Sequence, residues 1–84
     1  MAMDTLERVK KILSETLDID ISEINDDVRI VDDLGADSLD ICEISIEIEN
    51  EFSIKIDDQF YSSVKSNSVR DVADAIDELM NRQK

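Results

Sequence analysis

The sequence predicts an all-α fold: a small four-helix bundle with three longer helices, one short third helix and a long first loop. Three observations lead there. Apolar residues recur at the 3.6-residue period of a helix in separate stretches. Acid or serine residues stand ahead of those stretches at the spacing of helix N-caps. The 84 residues contain no proline and one glycine, Gly35. At this length the chain is expected to be one domain, 1–84. A domain of this size buries about 60–65% of its unfolded surface, so its core is modest.

Residues 4–17 read as the first helix. Asp4-x-x-Glu7 is a capping pair, Leu6, Val9, Leu13 and Thr16 share one face, and Ile12 stands beside it. Arg8, Lys10 and Lys11 gather much of the positive charge here, and the reading favoured over a binding patch is a solvated face. Residues 18–37 read as a loop with too many apolar side chains (Ile19, Ile21, Ile24, Val28, Ile30, Val31) for a solvated linker, so some must pack on the bundle. A loop this long in a small domain tends to be functional. Its acids do not make a calcium loop, because Glu23 stands where the glycine belongs and Arg29 where the final glutamate belongs. No metal site is expected.

Residues 38–52 read as the second helix, with three stripes. Ile41, Ile44, Ile48 and Phe52 form the core face, with Ser45 beside them. Asp40, Glu43, Glu47 and Glu51 form an acidic stripe, and Leu39, Cys42 and Ile46 a second apolar ridge. That ridge either packs against the loop or the third helix, or stays exposed for docking. Residues 53–57 connect to a short helix that Asp57 or Asp58 caps and that runs to about Val64, with Phe60 and Val64 facing inward. Ser68-x-x-Asp71 opens the fourth helix, whose core stripe is Val69, Val72, Ala73, Ile76, Leu79 and Met80, to about Arg82.

The net charge is −13, from 22 acidic and 9 basic residues, with no histidine. Nucleic acid and anionic membrane surfaces would be repelled. Proteins with basic patches are the expected partners. No 18-residue apolar run is present, so no membrane insertion is expected. The start, Met-Ala-Met-Asp, lacks the pattern of a signal peptide. The lone Cys42 allows no internal disulfide and fits a reducing, cytoplasmic setting. It lies in an acidic helix, where a thiolate is disfavoured. No catalytic set is present, so an enzyme is the weakest reading.

The stretch Asp33-Leu34-Gly35-Ala36-Asp37-Ser38-Leu39-Asp40 organises the rest. Gly35 takes φ > 0 without penalty, and a turn there delivers Asp37 as N-cap and Ser38 to a helix N-terminus. Free amides and the positive end of the helix dipole favour an anion at that place. Ser38 is either an ordinary helix-start serine or the carrier of a phosphate ester.

This eight-residue string resembles the phosphopantetheine attachment motif of acyl carrier proteins of the bacterial and organellar fatty-acid synthesis type. Length, acidity and helix layout agree along nearly the whole chain. The resemblance implies a non-catalytic monomer whose Ser38 receives a 4'-phosphopantetheine arm from coenzyme A through a phosphopantetheinyl transferase. The arm then holds acyl groups as thioesters, with Asp37 and Leu39 flanking the attachment point. It further implies docking of acyl-transferring and fatty-acid-synthesis enzymes on the second helix, where Asp40 matches the motif, Glu43 matches a usual acid and Glu47 is an addition, with Ile56 matching an apolar residue near the arm. Ile46 joins this surface from the reading of the second ridge as exposed. Departures from the family (Ser45, Asp57, Phe60, Tyr61 and a longer connection before the fourth helix) keep a specialised carrier of polyketide, aminoacyl or other acyl groups open. An acidic interaction module without a prosthetic group is the reading from another class.

Overall fold

The computed structural model describes residues 4–82, in the order α1 (Thr5–Leu17), a 3₁₀ turn (Ile21–Glu23), α2 (Ser38–Phe52), α3 (Asp58–Ser66) and α4 (Val69–Arg82). The reading of the chain's first residues falls on 1–3, outside the described residues. Among the described residues there is no strand beyond one isolated bridge, Arg29 to Ser68.

Each helix starts on a side chain that takes up an otherwise orphaned amide. Asp4 accepts from Glu7 N at 2.9 Å, Asp57 from Phe60 N at 2.8 Å and Ser68 Oγ from Asp71 N at 3.3 Å. The helix ends differ from a glycine-rich pattern. With one glycine in the chain, α1 and α2 close on Asp18 (φ 57°) and Ser53 (φ 54°) in the left-handed region. Short polar residues bear that conformation better than branched ones.

The core is the sum of the apolar stripes. Val9 and Leu13 of α1, Ile44 and Ile48 of α2, Val64 of α3 and Val69, Val72 and Ile76 of α4 have no exposed surface. α1 packs on both α2 and α4, and α3 spans α2 and α4. Leu6 and Thr16 are half-buried at the edge of the α1 stripe.

The segment between α1 and α2 is more ordered than a plain loop. Ile24, Ile30 and Ala36 plug into the core, while Ile19, Val28, Val31 and Leu34 lean on it and Ile21 is exposed. Charge fixes it from outside. Asp26 pairs with Lys10 of α1 at 2.5 Å and with Arg70 of α4 at 3.4 Å, and its carbonyl accepts the Arg70 amide at 2.8 Å. Hydrogen bonding to Lys10, more than to Arg70, holds the Asp26 carboxyl below the usual carboxylate range, against the opposing effect of desolvation. The Lys10 ammonium is raised by the same bond.

The α1 bases therefore differ from the expected solvated face. Arg8 pairs with Glu51 at 2.8 Å, donates to the Glu51 carbonyl at 2.9 Å and lies 4.3 Å from the centroid of the Phe52 ring. Only Lys11 of the three is exposed and, among the described residues, makes no ion pair. α3 also runs to Ser66, two residues past the expected end at Val64. The Asn67 amide reaches Ser63 O at 3.0 Å, and the Arg29 guanidinium takes Ser66 O at 2.8 Å, so the last carbonyls find partners.

Candidate functional site

Gly35 turns the chain into α2 with φ +73°. A Cβ built there would meet nothing within 4 Å, so the requirement for glycine is conformational, not steric. Ala36 then buries its methyl group, and Asp37, in extended conformation, becomes the N-cap of α2.

Asp37 and Asp40 form a reciprocal capping box: Asp40 N donates to Asp37 Oδ1 at 3.0 Å and Asp37 N to Asp40 Oδ2 at 3.2 Å. The Ile41 amide closes the first helical bond on Asp37 O at 2.9 Å. Asp40 is half-buried with its carboxylate engaged, whereas the sequence pattern placed it only on the acidic stripe. The Asp37-x-x-Asp40 spacing carried the signal, as Ser68-x-x-Asp71 did for α4.

Ser38 is the first residue of α2, and its side chain is exposed. The box leaves the amides of Ser38 and Leu39 uncommitted, so two donors and the positive end of the dipole face solvent beside the Ser38 hydroxyl. Asp37, Asp40 and the hydroxyl thus come together at one helix end. That arrangement accommodates an anionic ester on Ser38.

The second ridge of α2 does not pack away. Leu39 is 78% exposed, Ile46 is 49% exposed and Cys42 is exposed as well. Glu43 and Glu47, both exposed, line a cleft against Ile12, Glu15 and Thr16 of α1. Ser45 is buried, and its Oγ donates back to Ile41 O at 2.9 Å, so the hydroxyl costs the core no unpaired polar atom. Ile56 lies elsewhere, in the α2–α3 connection. It is half-buried, and its amide donates to Glu49 Oε2 at 2.8 Å. Phe60 is buried and Tyr61 half-buried against the core.

Among the described residues no three metal-capable side chains cluster, and no helix is long and apolar enough to cross a membrane.

A protein-family profile described as "Phosphopantetheine attachment site" matches residues 7–76. An acyl carrier protein from Solidesulfovibrio magneticus is 40% identical over 74 residues, covering 88% of each chain. One from Nitratidesulfovibrio vulgaris is 38% identical over 81 residues, 96% of this chain and 100% of the relative. One from Helicobacter hepaticus is 41% identical over 70 residues, 83% of this chain and 90% of the relative. The chain belongs to the acyl carrier protein family, as a non-catalytic carrier built around a phosphopantetheine attachment domain.

Proposed function

We propose that Ser38 is the attachment point, that its Oγ holds a 4'-phosphopantetheine arm by a phosphoester bond, and that the chain carries acyl intermediates in fatty acid biosynthesis. The observation that carries the assignment is an exposed serine at the first position of a helix whose first two amides, those of Ser38 and Leu39, are uncommitted. When bound, the arm supplies a terminal thiol that holds acyl groups as thioesters. The chain's own residues do the rest. Asp37 and Asp40 lock the first turn of α2 and so fix where the Ser38 oxygen points. The amides of Ser38 and Leu39 and the helix dipole offset the charge of the ester, which the two carboxylates alone would repel.

Partners follow from charge and exposure. A phosphopantetheinyl transferase and the synthesis enzymes meet the stripe Asp40, Glu43 and Glu47 through basic patches. Leu39 and Ile46 supply apolar contact, and Ile56, in the α2–α3 connection apart from the stripe, is an apolar contact for the arm by family resemblance alone. The reading includes a monomeric, single-domain protein of the cytoplasm that binds no nucleic acid.

The experiment is intact mass after incubation with coenzyme A and a transferase. The wild type gains one phosphopantetheinyl unit. Ser38→Ala gains none and folds normally, because the cap is Asp37 and the hydroxyl of Ser38 contributes well under about 1 kcal/mol. An arm on Ser38→Ala would refute the assignment.

A further inference from the structure

The residues leading to Ser38 are held by hydrogen bonds within their own turn. Arg29 N donates to Asp33 Oδ2 at 2.8 Å, and Asp33 N donates back to Arg29 O at 2.9 Å. Leu34 N shares that carbonyl at 3.1 Å, Gly35 N reaches Val31 O at 3.1 Å and Ala36 N reaches Ile30 O at 3.2 Å. Ile30 and Ala36 anchor the two ends of this turn in the core.

Arg29 is in turn fixed to the α3–α4 junction. Its guanidinium donates to Ser66 O at 2.8 Å, and the neighbouring Val28 O accepts Val69 N at 2.9 Å. A Cβ at Gly35 would meet nothing within 4 Å, so no neighbouring group outside the turn packs on that side of it. The direction in which the chain enters α2 therefore depends on the turn being closed. Among the described residues, Asp33 is the side chain that closes it.

We propose that Asp33 is a positioning residue for arm transfer: by holding the Arg29 amide it keeps the 29–36 turn shut and Ser38 in the orientation that a transferase takes. This rests on Ser38 as the attachment point. A transferase acts on one geometry of the Ser38 oxygen, and an opened turn lets Gly35 sample others. Asp32, exposed and next in sequence, makes no such bond and isolates the effect of charge.

The test measures kcat/KM for arm transfer from coenzyme A onto the full chain, together with hydrogen exchange of backbone amides. Asp33→Ala is expected to lose about fivefold in kcat/KM, the weight of one exposed side chain-to-backbone hydrogen bond, and to lose a similar factor of protection at the Arg29 amide. Asp33→Asn keeps an acceptor oxygen and restores both, and Asp32→Ala matches the wild type. The proposal is overturned if Asp33→Ala transfers at the wild-type rate, if Asp32→Ala loses as much, or if Asn fails to rescue. Loss of protection at Ile44 and Ile48 in Asp33→Ala would also overturn it, because Asp33 would then support the whole core. No arm on the wild type would defeat the Ser38 assignment, while exchange at Arg29 still decides the role of Asp33.

Discussion

Removing the Arg8 guanidinium should destabilise the fold more than any other loss of one surface cation on α1. Three contacts meet on that group. It pairs with Glu51 at 2.8 Å, with both side chains partly exposed, which is worth about 0.2–1 kcal/mol. It lies 4.3 Å from the Phe52 centroid, worth about 0.5–1 kcal/mol at such a site. It donates to the Glu51 carbonyl in the last turn of α2, which has no base of its own, and a cation there is worth about 0.3–1 kcal/mol. These contributions share one group and do not add fully, so Arg8→Ala should cost about 1–2 kcal/mol. For a chain of this size that lowers the melting temperature by roughly 5–10 °C. Lys11→Ala is the control: it lowers the net charge of −13 by the same unit from an exposed position on the same helix. Arg8→Lys should recover only part of the loss, since an ammonium cannot serve carboxylate, carbonyl and ring together. Thermal unfolding followed by circular dichroism reads all three. Equal melting temperatures for Arg8→Ala and Lys11→Ala would refute the clamp.

Glu43→Lys with Glu47→Lys should slow arm transfer mainly through association and flatten its salt dependence, with folding intact because both side chains are exposed; equal rates for wild type and variant at two salt concentrations would reduce the stripe to a solvated face. Ile46→Ala, at a half-exposed position, should weaken complexes without changing the salt slope, and a changed slope would contradict an apolar role. Added salt should raise the melting temperature of this strongly acidic chain, and a flat response from low to moderate ionic strength would contradict that. Asp26→Asn should reveal a pH-dependent stability gap to the wild type. The folded pKa of Asp26 is depressed, so its contribution is present above the ordinary carboxylate value, about 3.9, and is lost as pH falls through the folded value. Lys10 is raised, so the same pair holds up to its ordinary value near 10.5 and is lost only as pH rises through the folded one. Urea titrations at pH 3, 5 and 7 check this, and a gap undiminished at pH 3 refutes it.

The features legible in the sequence were local ones. The stripes of α1, α2 and α4 depend on a period within one helix, and the caps Asp4, Asp37, Asp57 and Ser68 on a spacing of three residues, so both survive any packing. What escaped was set by partners far along the chain. Arg8 and Glu51 are 43 residues apart, and Arg29 and Ser66 are 37 apart. No pattern near Arg8 marks it as a cation for the end of α2, and none near Ser66 says that α3 will be capped from the loop. The ridge Leu39, Cys42 and Ile46 was open for a related reason. Periodicity shows that these residues share a face, but only the placement of α1, α3 and the loop decides that nothing covers it. The role of Asp40 in the capping box is readable from its spacing to Asp37, but the same residue also fits the acidic stripe at i, i+3, i+7, and periodicity alone does not separate the two roles.

The few cations of this chain are placed so that stability and docking do not compete. Arg8 and Arg29 answer the carbonyls at the ends of α2 and α3, while Lys10 and Arg70 hold Asp26 and with it the segment before α2. All four lie outside residues 30–54, which contain eight acids and no Lys or Arg. The folded state thus relieves part of its self-repulsion at helix C-termini and in the loop, where a positive charge also satisfies hydrogen-bond acceptors. The Ser38 end of α2 keeps its negative field uncompensated except by the helix dipole, which acts over the first turn and fades by Glu43. A phosphoester at Ser38 lies within reach of that compensation, whereas Glu43 and Glu47 lie beyond it and keep their full attraction for a basic surface. A cation introduced among residues 30–54 to stabilise the fold would neutralise the stripe on which the proposed docking depends.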